Sequence, residues 1–175
     1  MMNNLKIKKQ GPKQKNSFEL NTSVLFLIFN RLDTTKQVFQ EIKKARPKQL
    51  FIAADGPRTR EEKKKTEAVR KYVLDNIGWK CSVKKLFRKE NYGCKKQTIK
   101  AIDWFFENVE QGIILEDDAL PSQDLFKFHE ELLEKYKNED KIKAICGVNF
   151  FGESKIKYDY LFSRIFFSSW GFATW

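Results

Sequence analysis

Cysteine is scarce: Cys81, Cys94 and Cys146 form an odd set of three with no C-x-x-C pair. That argues against a disulfide framework or a structural zinc site and suits a reducing compartment. With 8 glycines and 4 prolines in 175 residues, collagen-like and linker-like chains are excluded. His129 is the sole histidine, and no Ser-His-Asp or Cys-His set accompanies it. No apolar run approaches the ~18 residues that a membrane-spanning helix needs. Met1 to Leu20 is too polar for the apolar stretch of a secretion signal. A soluble, cytoplasmic chain is therefore expected. Walker and Gly-x-Gly-x-x-Gly phosphate loops are also missing.

Charge and apolar residues are plentiful. The 34 Lys and Arg outnumber the 23 Asp and Glu, giving a net charge of +11, and 41% of residues are hydrophobic. Such a chain has the means to bury a core, which excludes disorder for its body. The charge is polarised: residues 58–100 carry a net +10 and residues 101–140 a net −9. The basic stretch suits a polyanion, although solvated helix faces account better for most of its individual lysines. Residues 1–20, with Lys6, Lys8, Lys9, Lys13 and Lys15 around Gly11-Pro12, read as a basic disordered arm free to touch a membrane surface at its inner face.

Short uninterrupted apolar runs mark strands buried on both faces: Val24 to Phe29, Leu50 to Ala54, and Ile113 to Leu115 behind Gly112. Val83 to Phe87 is a weaker strand and Ala144 to Val148 a final one. Helical spacing lies between them. Asp33 is placed to cap a helix through Val38, Phe39 and Ile42, and Thr59 with Glu62 makes a capping box before Val69 and Val73. Ile99, Ile102, Phe105, Phe106 and Val109 define a third helix face, and Ser122 opens a helix through Leu125, Phe128, Leu132 and Leu133. His129 sits near that last apolar stripe, where packing explains it better than catalysis. Alternation of strand and helix predicts an α/β domain with a mainly parallel sheet covered on both faces. In such a sheet the turns after successive strands converge at the carboxyl edge, where ligands bind.

Three of those turns carry chemistry. Glu116-Asp117-Asp118 follows a buried strand, and no Lys or Arg lies between Gln111 and Asp124 to relieve its repulsion. An extended backbone sends Glu116 and Asp118 to one side and Asp117 to the other. One side then suits a hard divalent cation, manganese or magnesium, which takes one or two carboxylates and completes its shell with substrate phosphate oxygens. The alternative is an acidic cluster that complements the positive end of the helix after Ser122. Asn30-Arg31 ends the first strand, and Arg31 and Arg58 have the fork geometry for phosphates. Asp55, in Ala54-Asp55-Gly56-Pro57, either accepts hydrogen bonds from a base or ribose or simply makes a turn.

Five segments taken together resemble one family: Val24-Leu-Phe-Leu-Ile-Phe-Asn-Arg31, Phe51-Ile-Ala-Ala-Asp-Gly-Pro-Arg58, Arg88-Lys-Glu-Asn-Tyr-Gly93, Ile113-Ile-Leu-Glu-Asp-Asp118 and Ser169-Trp-Gly-Phe-Ala-Thr-Trp175. The chain is similar to bacterial nucleotide-diphospho-sugar transferases, relatives of the N-acetylglucosaminyltransferase that starts N-glycan branching. The resemblance implies the GT-A fold, with residues 21–140 as the nucleotide-sugar-binding domain and residues 141–175 as the start of an acceptor-binding part. It implies a UDP-sugar or similar donor, a glycan or lipid-linked acceptor, transfer with inversion in polysaccharide assembly, and no nucleic-acid partner. By position, Asn30, Arg31, Asp55 and Arg58 bind the donor, Glu116 faces its sugar, Asp117 meets the ribose and Asp118 is the direct metal ligand. Asn149, Trp170 and Gly171 correspond to the region around donor sugar and acceptor. The catalytic base of relatives lies beyond the Trp-Gly turn, so the expectation is a truncated transferase in which Asp159 or Glu153 is at best a weak substitute. A non-catalytic sugar-nucleotide-binding module, a basic nucleic-acid-binding domain and a nucleotidyltransferase are the competing readings.

Overall fold

The computed structural model describes residues 19–148, 160–164 and 167–175. Along the chain run β1 (Ser23–Ile28), α1 (Leu32–Ala45), β2 (Gln49–Ala54), α2 (Arg60–Asp75), β3 (Ser82–Phe87), α3 (Cys94–Phe106), β4 (Gly112–Glu116), α4 (Gln123–Tyr136), β5 (Ile145–Cys146) and β6 (Phe172–Thr174). The strands form one six-stranded sheet in the order β3-β2-β1-β4-β6-β5. The first four pair in parallel, and β6 lies antiparallel between β4 and β5. The expected α/β fold with a mainly parallel sheet is what the chain adopts.

Each central strand is buried on both sides, and alternate residues feed two separate cores. Val24, Phe26, Leu50, Ile52, Ile113 and Leu115 join Val38, Phe39 and Ile42 of α1, Val69 and Val73 of α2, and Phe126 and Leu133 of α4. Leu25, Phe51, Ala53 and Ile114 pack on the other face against Ala101 and Phe105 of α3. Three helices therefore cover one face and one covers the other. Phe26 is fully buried, and truncating such a side chain to alanine costs about 3–5 kcal/mol.

The differences from the sequence expectations have local causes. Asp33 does not cap α1: the helix starts at Leu32, Arg31 holds the cap position with no side-chain capping bond, and Asp33 falls in the first turn. Thr59 does cap α2 by accepting from the Glu62 amide, but the Glu62 carboxylate bonds the Arg58 amide rather than completing the box on Thr59. Along α3 the buried seam is Gln97, Ala101 and Phe105, spaced by four, and Ile99 lies across the helix from it, 50% exposed. The last expected strand shrinks to two residues, and β6, unforeseen, takes the place beside β4.

Candidate functional site

Strand order fixes where a ligand can sit. From β1 the chain steps outward through β2 to β3 and then returns to the opposite side of β1 with β4. The direction of winding reverses between β1 and β4, so a crevice opens at their carboxyl ends. Asn30 and Arg31 follow β1 and the three acids close β4, which puts both turns at that crevice.

Arg31 meets Asp118 there, Nη1 donating to Oδ2 at 2.6 Å. The positive partner absent from the local sequence thus comes from 87 residues away. Both side chains stay open to solvent, 60% and 40% exposed. Asp117 turns inward and is buried. Its Oδ2 accepts from the Phe29 amide at 3.0 Å and from the Thr35 hydroxyl at 3.5 Å, stitching β4 to the β1–α1 turn. Burial raises the Asp117 carboxyl above its ordinary range, while the Phe29 amide and Arg31 oppose the rise. Glu116 is half-buried, and burial together with the Asp118 and Asp117 charges raises it too, with Arg31 pulling the other way.

A second knot ties β1 to β2. The buried Glu62 carboxylate accepts from Asn30 Nδ2 at 2.8 Å, the Arg58 amide at 2.7 Å, Arg58 Nε at 3.0 Å and Arg58 Nη2. Those Arg58 bonds hold Glu62 down to about 2, against the opposing effect of burial. The Arg58 guanidinium lies over the Phe29 ring, 5.6 Å from its centroid.

Asp55 makes the third knot. Its Oδ1 accepts from the Gly56 and Tyr92 amides, both at 2.8 Å, and its Oδ2 from the Gly93 amide at 2.9 Å. Of the roughly four acceptor positions on a carboxylate, three are taken, so the side chain binds the β3–α3 turn to the end of β2. Gly56 is required for that approach, because a Cβ there would lie 2.3 Å from the Glu90 backbone. Asn91 Nδ2 donates to the Gly56 carbonyl at 2.7 Å, and Arg70 from α2 bridges the Asp55 and Arg88 carbonyls at 2.7 and 2.9 Å. The Tyr92 ring is flanked by Arg88 and Lys96, 5.0 and 4.8 Å from its centroid.

Trp170 and Gly171 reach the same edge. Gly171 has φ +71° and accepts from the Gly147 amide at 3.1 Å, between the end of β5 and the start of β6. A Cβ on Gly171 would come within 3.3 Å of Leu115, next to the acids, and Trp170 is largely exposed. Asn149, Glu153 and Asp159 lie outside the described residues, as does the basic arm through residue 18. The edge therefore gathers Asn30, Arg31, Asp55, Arg58, Glu116, Asp117, Asp118, Trp170 and Gly171. Glu62 and Arg70, which hold several of them, were invisible as site residues because one reads as a helix cap and the other as one more cation on a basic helix.

Among the described residues no three carboxylate, imidazole or thiolate groups converge as a ready metal cage. Asp117 is committed to backbone and hydroxyl donors, and Asp118 is the acid whose carboxylate faces solvent. This donor set fits a hard cation held by one carboxylate and completed by phosphate oxygens, not one enclosed by protein. His129 is remote from that chemistry: it is fully buried in α4, with no hydrogen-bond partner at either ring nitrogen among the described residues. Burial lowers it to about 4. The three cysteines are free. No helix among the described residues is long and apolar enough to cross a membrane.

No family model matches the chain, and no curated protein matches it in sequence. Among solved structures it is similar to a mannosyltransferase from Pyrobaculum calidifontis in complex with GDP-mannose and Mn2+, with 14% identity and a TM-score of 0.49. The alignment covers 79% of this chain and 38% of that one, so the chain spans well under half the length of that structure.

Proposed function

We propose that this chain is the donor-binding part of a GT-A glycosyltransferase, one that binds a nucleotide-diphosphate sugar with a manganese or magnesium ion for inverting transfer to a glycan or lipid-linked acceptor. The observation that carries the reading is the meeting of Arg31 with Asp118 at the β1–β4 switch point. It places a phosphate-matched fork and a solvent-facing carboxylate within one ligand's reach. Arg31 and Arg58 are suited to the diphosphate, and Asp117 keeps Oδ1 for a ribose hydroxyl. Glu116 and the Trp170-Gly171 turn lie on the side left for the sugar and acceptor. A cation on Asp118 supplies neutralisation of the departing diphosphate. Asp55 serves the donor site through the loop it holds.

Calorimetric titration with UDP and GDP, each with and without manganese, tests this. Manganese-dependent binding that disappears in Asp118→Ala and weakens in Arg31→Ala is expected. Nucleotide binding indifferent to both would overturn the reading. So would steeply salt-dependent binding to DNA or RNA that survives Asp118→Ala, which would favour a nucleic-acid domain.

A further inference from the structure

Arg58 is an exposed, long side chain on a turn, and such a chain ordinarily loses rotamer freedom when it grips a ligand. Here that freedom is already restricted. Glu62 takes Nε and Nη2 side-on and the Arg58 amide as well, while Phe29 lies against the guanidinium face. The side-on bond leaves Nη1 and one outer N–H for an oxyanion. Glu62 is itself fixed by Asn30 Nδ2 as well, so its position is referred to the end of β1 and not only to its own helix. A cap needs one bond from this carboxylate, and the cap of α2 is already made by Thr59. The further bonds go to the β1–α1 turn, which borders the crevice, and to the β2–α2 turn beside it.

We propose that Glu62 is a positioning residue of the donor site, holding the Arg58 guanidinium pre-oriented toward the diphosphate of the nucleotide. This rests on the donor-site reading above. The carboxylate stays ionised well below neutral pH, so the restraint persists throughout the usual working range. Its cost is partial neutralisation of Arg58, which pure charge attraction would not select. Orientation is therefore the property that Glu62 adds.

Glu62→Asp preserves the charge but shortens the reach by one methylene, so its effect reads position alone. UDP and GDP affinities with manganese are measured by calorimetry for wild type, Glu62→Asp, Arg58→Ala and the double variant, with thermal unfolding followed alongside. Glu62→Asp is expected to weaken binding about tenfold, and the double variant to bind within about twofold of Arg58→Ala, because the restraint has no guanidinium left to act on. Arg58→Lys, a surface change that keeps the charge and lacks the fork, is expected to match the Glu62→Asp loss. It carries the test if Glu62→Asp fails to fold. Wild type binding neither nucleotide would remove the donor-site reading itself. Wild-type binding with Glu62→Asp or Arg58→Lys unchanged, or with the two single losses multiplying in the double variant, would overturn the positioning role alone.

Discussion

Asp55 is the residue for which structure and sequence expectation can be separated most sharply by experiment. As a contact to base or ribose, its removal would abolish nucleotide binding and leave the fold intact. The geometry predicts the reverse emphasis. Three backbone amides, those of Gly56, Tyr92 and Gly93, point at its two oxygens within 2.8–2.9 Å, and the residue is 6% exposed. Hydrogen bonds to an ionised acceptor contribute about 1.5–3 kcal/mol each, and a buried donor left without a partner costs about 1–3 kcal/mol. The three bonds share one group and do not add fully. Some of the amides will also reach water once the loop loosens. Asp55→Ala is expected to lose about 4 kcal/mol, a large part of the roughly 5–15 kcal/mol typical of a domain. Asp55→Asn keeps one oxygen but turns an NH2 toward an amide donor, so about 2 kcal/mol is expected.

Urea unfolding followed by circular dichroism reads these losses directly. Hydrogen exchange should localise the change, with protection falling at Tyr92 and Gly93 before it falls in β1. If Asp55→Ala unfolds within about 1 kcal/mol of wild type while nucleotide binding vanishes, the carboxylate is a ligand contact and the loop holds without it.

Gly56→Ala should be comparably harmful for an independent reason. Its Cβ would sit 2.3 Å from the Glu90 carbonyl carbon and oxygen, which are backbone atoms, so the two turns must part; a loss of at least about 2 kcal/mol in urea unfolding is expected. Arg31→Ala should barely alter stability, by less than about 1 kcal/mol, because its partner pair is exposed. The same change should raise the Glu116 carboxyl further in a carbon-detected NMR titration, since Arg31 is the charge that pulls it down. His129 predicts a pH effect of definite sign. Its folded value of about 4 lies below the 6.5 of a free imidazole side chain, so on acidification the unfolded chain takes up a proton that the folded chain refuses. Its contribution is intact above pH 6.5 and declines as the pH falls toward 4, by about 3 kcal/mol. His129→Leu should remove that slope, and an unfolding free energy with the same pH dependence in both proteins would contradict it.

The parts of the fold that could be read from sequence are those where one signal suffices. Phe26, Ile52 and Leu115 lie in uninterrupted apolar runs, and only a strand covered on both faces explains runs so short. The edge strand β3 was fainter because Lys84 and Lys85 face solvent, as edge strands require. β6 could not be read at all: Phe172 to Thr174 has neither length nor alternation, and its pairing with Gly112 to Ile114 is decided by tertiary context. Ile99 is apolar yet lies across α3 from the seam of Gln97, Ala101 and Phe105, because it is helical phase and not apolar character alone that decides which side chains are buried. The site followed the same rule. Which turns converge was legible, since parallel topology sends every strand end to one edge. Their internal wiring was not, because Arg31 to Asp118, Asn30 to Glu62 and Asp55 to Tyr92 are pairings across 87, 32 and 37 residues.

That wiring gives the β1–α1 turn a particular status. Phe29 donates its amide to Asp117, Asn30 its side-chain amide to Glu62, and Arg31 its guanidinium to Asp118. Three consecutive residues thus fasten three separate groups, and two of the bonds are buried or half-buried while the third is exposed. The distinction matters for binding. Breaking either of the inner two would strip a buried carboxylate of one of its donors and leave a part-buried N–H without an acceptor, which is costly. Releasing Arg31 from Asp118 costs little, because both ends are readily solvated. A ligand that brings its own anion for Arg31 and its own cation for Asp118 exchanges one screened ion pair for two new ones. The inner anchors stay in place while it does so. The stability of the turn and the lability of its outermost contact therefore follow from one gradient of burial, running from Phe29 outward to Arg31.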